Sequence, residues 1–597
     1  MIKEKLNKKI VHNQYSLIFL VVLSSYFLKI LSLQGLFSFI IYSFIFAIGP
    51  KKNLKAKVIL YITIGLIFYY FSSPENKLEI FTISTLFVVD LIYKNKIILN
   101  FEKFLPKKLY EINISKTNAY FLIFLLTLLT QNAYLNFETI DWDINSYLVA
   151  SQNISLSNLP YETQWESKQP LLYFIYKLFI YLADGNLVMF KILNDSIIFI
   201  LSIFLFKTIN REIQNNFLSL LGTLLFLFLM STPWANAEYS EIYCLLFIVL
   251  GFHNLISNSF TRKNLFFSGI FLGCSLMINI GSAILIFPIM YFIKRKDLLT
   301  NTFIVGLGIA LPTFIFFILY SSQNLVEIFL ETTFYIPLNY PSSNNFSQKI
   351  IIDFFRSYFE YNKLLFCLFL TTIYIIFKNY QKINVLQMLL LISSILFVVV
   401  ASHGYYHHYL FFIYFFALIS SVNLSKDFKS IFIVSIFIIL FNFSFTLFPK
   451  SLNNLTNISN LHSEYPLFIL KDELQNKITS DTFSILATDY QLINFYFEQD
   501  NFSYIIHPTN LEENFIIDKL TALGLANEKE ISWLISNRYP DVVICSEDMK
   551  DFNCEVSDYD KNYVKIMFDN INSLNNINYY SDPYKNIRVY IKKEILR

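Results

Sequence analysis

The sequence predicts an α-helical protein that crosses a membrane many times and ends in a small α/β region, and three observations carry that expectation. Of 597 residues, 55% are hydrophobic and 18% aromatic while only 15% are charged, which is too apolar for a soluble domain and too long for one core. Runs of about 17 or more nearly uncharged residues, enough as helix to cross roughly 30 Å of hydrocarbon, recur between residues 15 and 448. The net charge of +3 conceals a split, because residues 451–597 hold 22 acidic and 13 basic side chains, giving −9 and leaving +12 for the apolar part. β-Barrel alternation is absent, so the spans are helices. Nothing in the charge pattern points to nucleic acid.

Taken in order, residues 1–13 bring Lys3, Lys5, Lys8 and Lys9 ahead of an apolar segment, as a secretory signal does. No small-x-small cleavage site follows and a second apolar run does, so the segment reads as a retained helix. Lysine and arginine in short loops stay cytoplasmic because their translocation is disfavoured. Basic clusters at the amino end, at Lys51, Lys52, Lys55 and Lys57, and from Lys94 to Lys116 lie two apolar runs apart. Residues 1–117 therefore form two accessory hairpins with the amino terminus inside. Residues 120–135 exit, making residues 136–169 an outer loop. Lys207, Arg211, Arg262, Lys263, Lys294, Lys378, Lys382, Lys426 and Lys429 mark later inner turns, and residues 233–241, 323–361 and 403–408 face out between them. The total is about fifteen spans, with residues 265–293 also readable as a re-entrant pair. Residues 118–450 thus form a membrane core, and residues 451–597 lie outside.

In that tail, short β-branched runs at residues 483–488, 541–545 and 587–592 alternate with a helix-like stretch at 528–537, the grammar of a small α/β domain. Cys244, Cys274 and Cys367 lie in apolar runs as core side chains do. For Cys545 and Cys554, a disulfide in an oxidising compartment and two free thiols both stay open.

Ionisable residues are costly near lipid, so a cluster of them at a membrane face is informative. The first outer loop is the densest: Glu138, Asp141, Trp142, Asp143 and Tyr147, then Tyr161, then Trp165, Glu166, Lys168 and Gln169-Pro170. Transfer of a sugar to a hydroxyl needs a base for the acceptor proton and a cation or dipoles for a phosphate leaving group. Asp143 suits the first role and Lys168 the second. The rings of Tyr147, Tyr161 and Trp165 can floor a sugar. An interfacial aromatic belt with solvated charges fits the same residues.

The loop also carries a resemblance. Asp143 through Tyr147, Leu159-Pro160-Tyr161, Trp165-Glu166 and Lys168-Gln169-Pro170-Leu171-Leu172-Tyr173 resemble the first external loop of bacterial glycosyltransferase family 39. Its members are GT-C-fold enzymes related to protein O-mannosyltransferases and to the aminoarabinose transferases of lipid A. The resemblance covers residues 118–450, with the tail placed as in many relatives. It implies that Asp143 is the catalytic aspartate and that Lys168 lies near the donor phosphate. Asn158 stands where glycine is usual, Gln169 separates the lysine from the proline, and Asp141 is a second candidate base.

In the second outer loop, Glu238 sits where these families often carry another acid, as a helper for acceptor or metal; a helix cap fits it equally. His403, Tyr406, His407 and His408 are similar to a His-Tyr element before a late span, so His407 and His408 are candidates for donor phosphate or sugar. Three histidines also raise zinc, although Gly404 argues against a shared helical face. The loop holding Glu327, Glu331, Tyr335, Pro337, Tyr340 and Pro341 has no motif. Asn279, within residues 269–288 that resemble the family's paired short helices, is given no role.

These readings converge on an inverting glycosyltransferase of the bacterial cytoplasmic membrane, moving a hexose or pentose from a polyprenyl-phosphate donor to an envelope glycan, lipid or protein. No nucleotide-binding fingerprint is present. No cofactor is assigned, and a divalent metal is optional. A lipid-linked glycan flippase would instead place ionisable residues along a path inside the spans. A non-catalytic assembly protein would keep the fold without the chemistry.

Overall fold

The computed structural model describes residues 112, 114–339, 385–400, 406–480, 482–546, 562–566 and 587–597, apart from 140, 234, 236–237, 258–260, 293–296 and 428. The two accessory hairpins, Tyr340, Pro341, Cys367, His403 and Cys554 lie outside the described residues.

Polar residues begin the helices where the apolar runs begin. Helix α1 (Lys116–Gln131) is capped by Ser115, whose hydroxyl accepts from the Asn118 amide. Thr127 donates to the Ile123 carbonyl and Thr130 to that of Leu126, so hydroxyls on an apolar helix find partners within it. Helix α2 (Trp142–Gln152) and helix α3 (Pro170–Leu182) frame the first outer loop, α3 starting on a proline whose missing N–H costs nothing there. Asn186 and Asn215 cap α4 (Leu187–Ile213) and α5 (Asn216–Leu229). Helix α6 (Ser240–Ser257) follows.

Helices α7 (Arg262–Leu276) and α8 (Ala283–Phe292) are the short pair, joined by a tight turn at Ile280–Ser282. Helix α7 crosses α9 (Leu298–Ser322) through glycines. A methyl group added at Gly269 would lie 2.3 Å from the Val305 carbonyl oxygen, and one at Gly308 2.3 Å from that of Phe266. Backbone meets backbone at this crossing, which only small residues permit.

After α10 (Val385–Val400) come a turn at Tyr406–Tyr409, α11 (Leu410–Asp427) and α12 (Lys429–Thr456). Among the described residues, three helices are long and apolar enough to cross a membrane: α4, α9 and the segment His407–Lys426. Shorter apolar helices, including α3, α5 and α10, pack among them. Run length alone cannot separate a crossing helix from a short buried one, so spans of both kinds underlie the sequence estimate. Helix α11 is the central post, buried along its length against α4, α5, α10 and α12. Helix α9 instead turns Leu299, Phe303 and Phe314 outward, as a lipid-facing helix does.

Helix α12 continues through Pro449 into the tail, where α13 (Pro466–Lys477) leads to a four-stranded mixed sheet. Its strands are β1 (Ile485–Ala487), β2 (Val542–Ser546), β3 (Tyr563–Ile566) and β4 (Ile587–Lys592), in the order β1-β2-β4-β3. Strands β1 and β2 are parallel and the other pairs antiparallel. Alternation sorts the side chains: Leu486, Val543, Cys545 and Tyr590 pack on α14 (Glu530–Asn537), while Ile485, Val542, Ile544 and Val589 join the core that runs on into the helices. Cys545 is disulfide-bonded.

Candidate active site

The first outer loop is tied down residue by residue. Asp141 ends the extended approach to α2, and Asp143 occupies the helix's first turn, where the N-terminal dipole favours a carboxylate. The two carboxylates have different surroundings. Asp141 is buried and accepts from the Tyr239 hydroxyl at 2.8 Å. The Asp143 side chain keeps 19% of its surface exposed, and its Oδ1 lies 2.8 Å from Nε2 of His507. Burial, with the charge of Asp143 adding to it, pushes the Asp141 carboxyl up to about 7. Burial also pushes Asp143 up, but His507 at 2.8 Å and, more weakly, His407 and Lys168 outweigh it and hold Asp143 well below the usual carboxylate range. Of the two, Asp143 is the ionised and accessible one.

The return limb of the loop runs through Tyr161, whose φ of 71° is left-handed and strained for a tyrosine. Its hydroxyl donates to the Lys168 carbonyl, its own carbonyl accepts from the Tyr504 hydroxyl, and its ring meets Tyr173 and Tyr320. Trp165 is fully buried, donating from Nε1 to Thr332 Oγ1 at 2.9 Å, and its backbone pairs with the tail in a bridge to Ile505. Tyr161 and Trp165 are enclosed in this arrangement and act as posts that shape the loop. Tyr147 is buried too, yet its hydroxyl has no hydrogen-bond partner and sits within the fields of Asp143, Glu166 and Glu241. A phenol OH orphaned beside a carboxylate is poised for a partner from outside the chain.

Gln169, the residue that separates lysine from proline, holds the loop to the short helix pair: its Oε1 accepts from the Ile280 amide at 3.2 Å and its Nε2 donates to the Thr333 carbonyl at 3.3 Å. Lys168 is thereby held half-buried among Glu241, Asp143, Glu166 and Asp141. Burial works against its charge, but these carboxylates, Glu241 foremost, raise its pKa and keep it an ammonium. None of the ion pairs among the described residues engages it.

His407 and His408 arrive from the turn before α11. His407 stacks on Tyr239 with centroids 4.3 Å apart and brings Nε2 to 3.8 Å from Asp143 Oδ2; His408 packs edge-on against His407. The structure thus gathers Asp141, Asp143, Lys168, His407, His408 and the Tyr147 hydroxyl into one cluster. Glu238 is not among them. It lines a separate cavity with Glu138, Lys191 and Asp195, and Glu241, three residues on and already inside α6, takes the place beside the histidines. Burial pushes the Glu238 carboxyl up to about 7, with Lys191 opposing.

Sequence reasoning missed four residues here. Glu166 was seen in the loop without a role, and it is buried beside His507. Glu241 was passed over for Glu238. Asn279 donates from Nδ2 to Glu241 Oε1 at 3.0 Å. His507 lies some 360 residues from Asp143 in a part of the chain with no local motif, so only folding reveals it. Ligand atoms of Glu241, His407 and His408 lie within 4.8 Å of one another, as do those of Asp141, Asp143 and His407. Imidazole nitrogen with carboxylate oxygen is a donor set that suits a divalent ion such as Zn²⁺.

Crossing helices around a buried post, with a charged outer loop and a C-terminal sheet docked over it, define a GT-C-like fold. Its similarity is to ArnT from Cupriavidus metallidurans, whose crystal structure is bound to undecaprenyl phosphate: TM-score 0.52 at 11% identity, over 80% of this chain and 98% of that one. No family model and no curated protein sequence matches the chain.

Proposed function

We propose that this protein is an inverting glycosyltransferase that takes a sugar from a polyprenyl-phosphate donor and passes it to an envelope glycan, lipid or protein at the outer face of a bacterial cytoplasmic membrane. The carrying observation is the juxtaposition of Asp143, ionised and accessible, with Lys168, an ammonium outside every described ion pair. Likeness of fold to a transferase solved with a polyprenyl phosphate supports the same reading.

In the transfer, the acceptor hydroxyl oxygen attacks the anomeric carbon from the face opposite the phosphate. The C–O bond to phosphate breaks as the new one forms, and the electron pair leaves with polyprenyl phosphate. Lys168 meets the charge that builds on the departing oxygen. Asp143 takes the hydroxyl proton. A carboxylate held so low accepts it only once the new bond has made that proton acidic, so Asp143 acts late and costs no protonation beforehand. The orphaned Tyr147 hydroxyl offers a hydrogen bond to a sugar oxygen. If a divalent ion binds, Glu241, His407 and His408 hold it, and it supplies further positive charge for the phosphate.

A flippase needs ionisable groups along its path. Lys191 and Asp195 lie within a candidate span, but in the first turns of α4, bonded to loop carbonyls and to Asn132. They close the top of the helix rather than line a route through it. The deciding experiment incubates purified protein with a panel of polyprenyl-phosphate monosaccharides and envelope extract, and measures released polyprenyl phosphate. Release from one donor, cut about 10³-fold by Asp143→Asn, is the expected result. Undiminished release by the variant sinks Asp143 as base, and no release from any donor sinks the transferase reading.

A further inference from the structure

The two oxygens of Asp143 are treated differently, and by different parts of the chain. Oδ2 lies 3.8 Å from His407 Nε2, beyond hydrogen-bond reach. Oδ1 is held at 2.8 Å by His507, from the tail. The His507 ring is itself constrained. Its Nδ1 lies 3.3 Å from the Thr509 amide, which donates to it, and 2.8 Å from Thr509 Oγ1. A nitrogen that accepts from an amide N–H carries no proton, so in this arrangement the ring proton sits on Nε2, the nitrogen that lies 2.8 Å from Asp143.

The backbone that carries His507 is fastened to the loop that carries Lys168. Trp165 donates its amide to the Tyr504 carbonyl at 2.7 Å, and Ile506 donates back to the Trp165 carbonyl at 3.2 Å. Gln491 Nε2 holds the Ile506 carbonyl at 3.2 Å, and Asn510 Nδ2 reaches Glu166 Oε2 at 3.4 Å. His507 itself is 7% exposed. The Trp165 and Glu166 bonds tie the tail to the outer loop, and the Gln491 bond braces the tail segment that carries His507.

We propose that His507 is a positioning residue of the transfer reaction: its Nε2–H grips Asp143 by Oδ1 and fixes the carboxylate plane so that Oδ2 faces the acceptor. The tail is then a working part of the active site. This rests on the transferase reading above, with Asp143 as the base. A carboxylate with one oxygen pinned presents the other at one angle, whereas an unpinned one rotates about its Cβ–Cγ bond and spends little time aligned with the hydroxyl proton.

The test compares His507→Phe, which fills the space without a donor, with His507→Gln, whose amide nitrogen replaces Nε2–H. Donor consumption by His507→Phe is expected to fall about 10²-fold in kcat with KM for donor within about 2-fold, and His507→Gln to recover most of the loss. A wild-type kcat in His507→Phe, or equal losses in both variants, overturns the proposal. A second readout needs no turnover: with ¹⁵N-labelled histidine, the hydrogen-bonded Nε2–H resonance that vanishes in His507→Gln is expected to move in Asp143→Asn. An unmoved resonance overturns the pairing. A resonance that moves in a protein that consumes no donor supports the pairing and sinks the transferase reading instead.

Discussion

At the scale of residues, the outer loop holds more carboxylates than one reaction needs, and the structure sorts them by surroundings. Glu138 accepts from the amides of Leu467 and Phe468 at the start of α13 and from the Tyr496 hydroxyl, so it anchors the tail through a helix N-terminus. Asp141 is buried and accepts from Tyr239, whereas Asp143, in the first turn of α2, keeps part of its side chain exposed. Lys168→Ala is expected to lower kcat for donor consumption about 10²-fold, since it removes charge from the leaving phosphate; a change confined to KM would show uniform binding instead. Glu238 makes a separate prediction. Its folded pKa of about 7 stands above the ordinary value for a glutamate, so between those values the folded state binds more protons than the unfolded one. Stability from this group is therefore complete below the unfolded pKa and lost as pH rises through the folded pKa. The thermal midpoint in detergent is expected to fall between pH 5 and 8 in wild type, and to fall less in Glu238→Gln. That an aspartate and a lysine stand together in this loop was legible in sequence from residue type and spacing alone. The choice of Glu241 over Glu238 was not, because it depends on where α6 begins.

At the scale of elements, close packing and strand alternation carry the architecture. The α7–α9 crossing leaves no room for a side chain at Gly269, where the obstacle is a carbonyl oxygen rather than a flexible tip. Gly269→Val is expected to destabilise the protein by about 1–3 kcal/mol, seen as a lower thermal midpoint with the donor's KM little changed. An unaltered midpoint would mean that the two helices sit farther apart. Strand positions at residues 485–487, 542–546 and 587–592 fall within or beside the β-branched runs that announced them, and α14 within the expected helical stretch. Strand β3 had no such run: Tyr563–Ile566 is short, and pairing with β4 rather than composition makes it a strand. The reach of α12 past residue 450 was also hidden, since a polar stretch after an apolar run reads as an exit from helix.

At the scale of the whole molecule, the sidedness expected from lysine placement is open to a direct test. Cysteine introduced at the exposed Asn537 in the tail is expected to react with a membrane-impermeant maleimide in intact cells, and cysteine at the exposed Lys263 to react only after permeabilisation. The reverse pattern would invert the protein and put the loop of Asp143 inside. The sequence by itself determined that the chain lives among apolar helices, that its polar chemistry gathers in the loop before α3, and that strands follow the last span. Those properties depend on residue type, run length and spacing, which are local. Which carboxylate is ionised and accessible, which rings are posts, and that His507 reaches Asp143 were decided only by tertiary structure. Burial and distance set a carboxylate's charge and a histidine's partner, and both arise between residues that the chain keeps hundreds of positions apart.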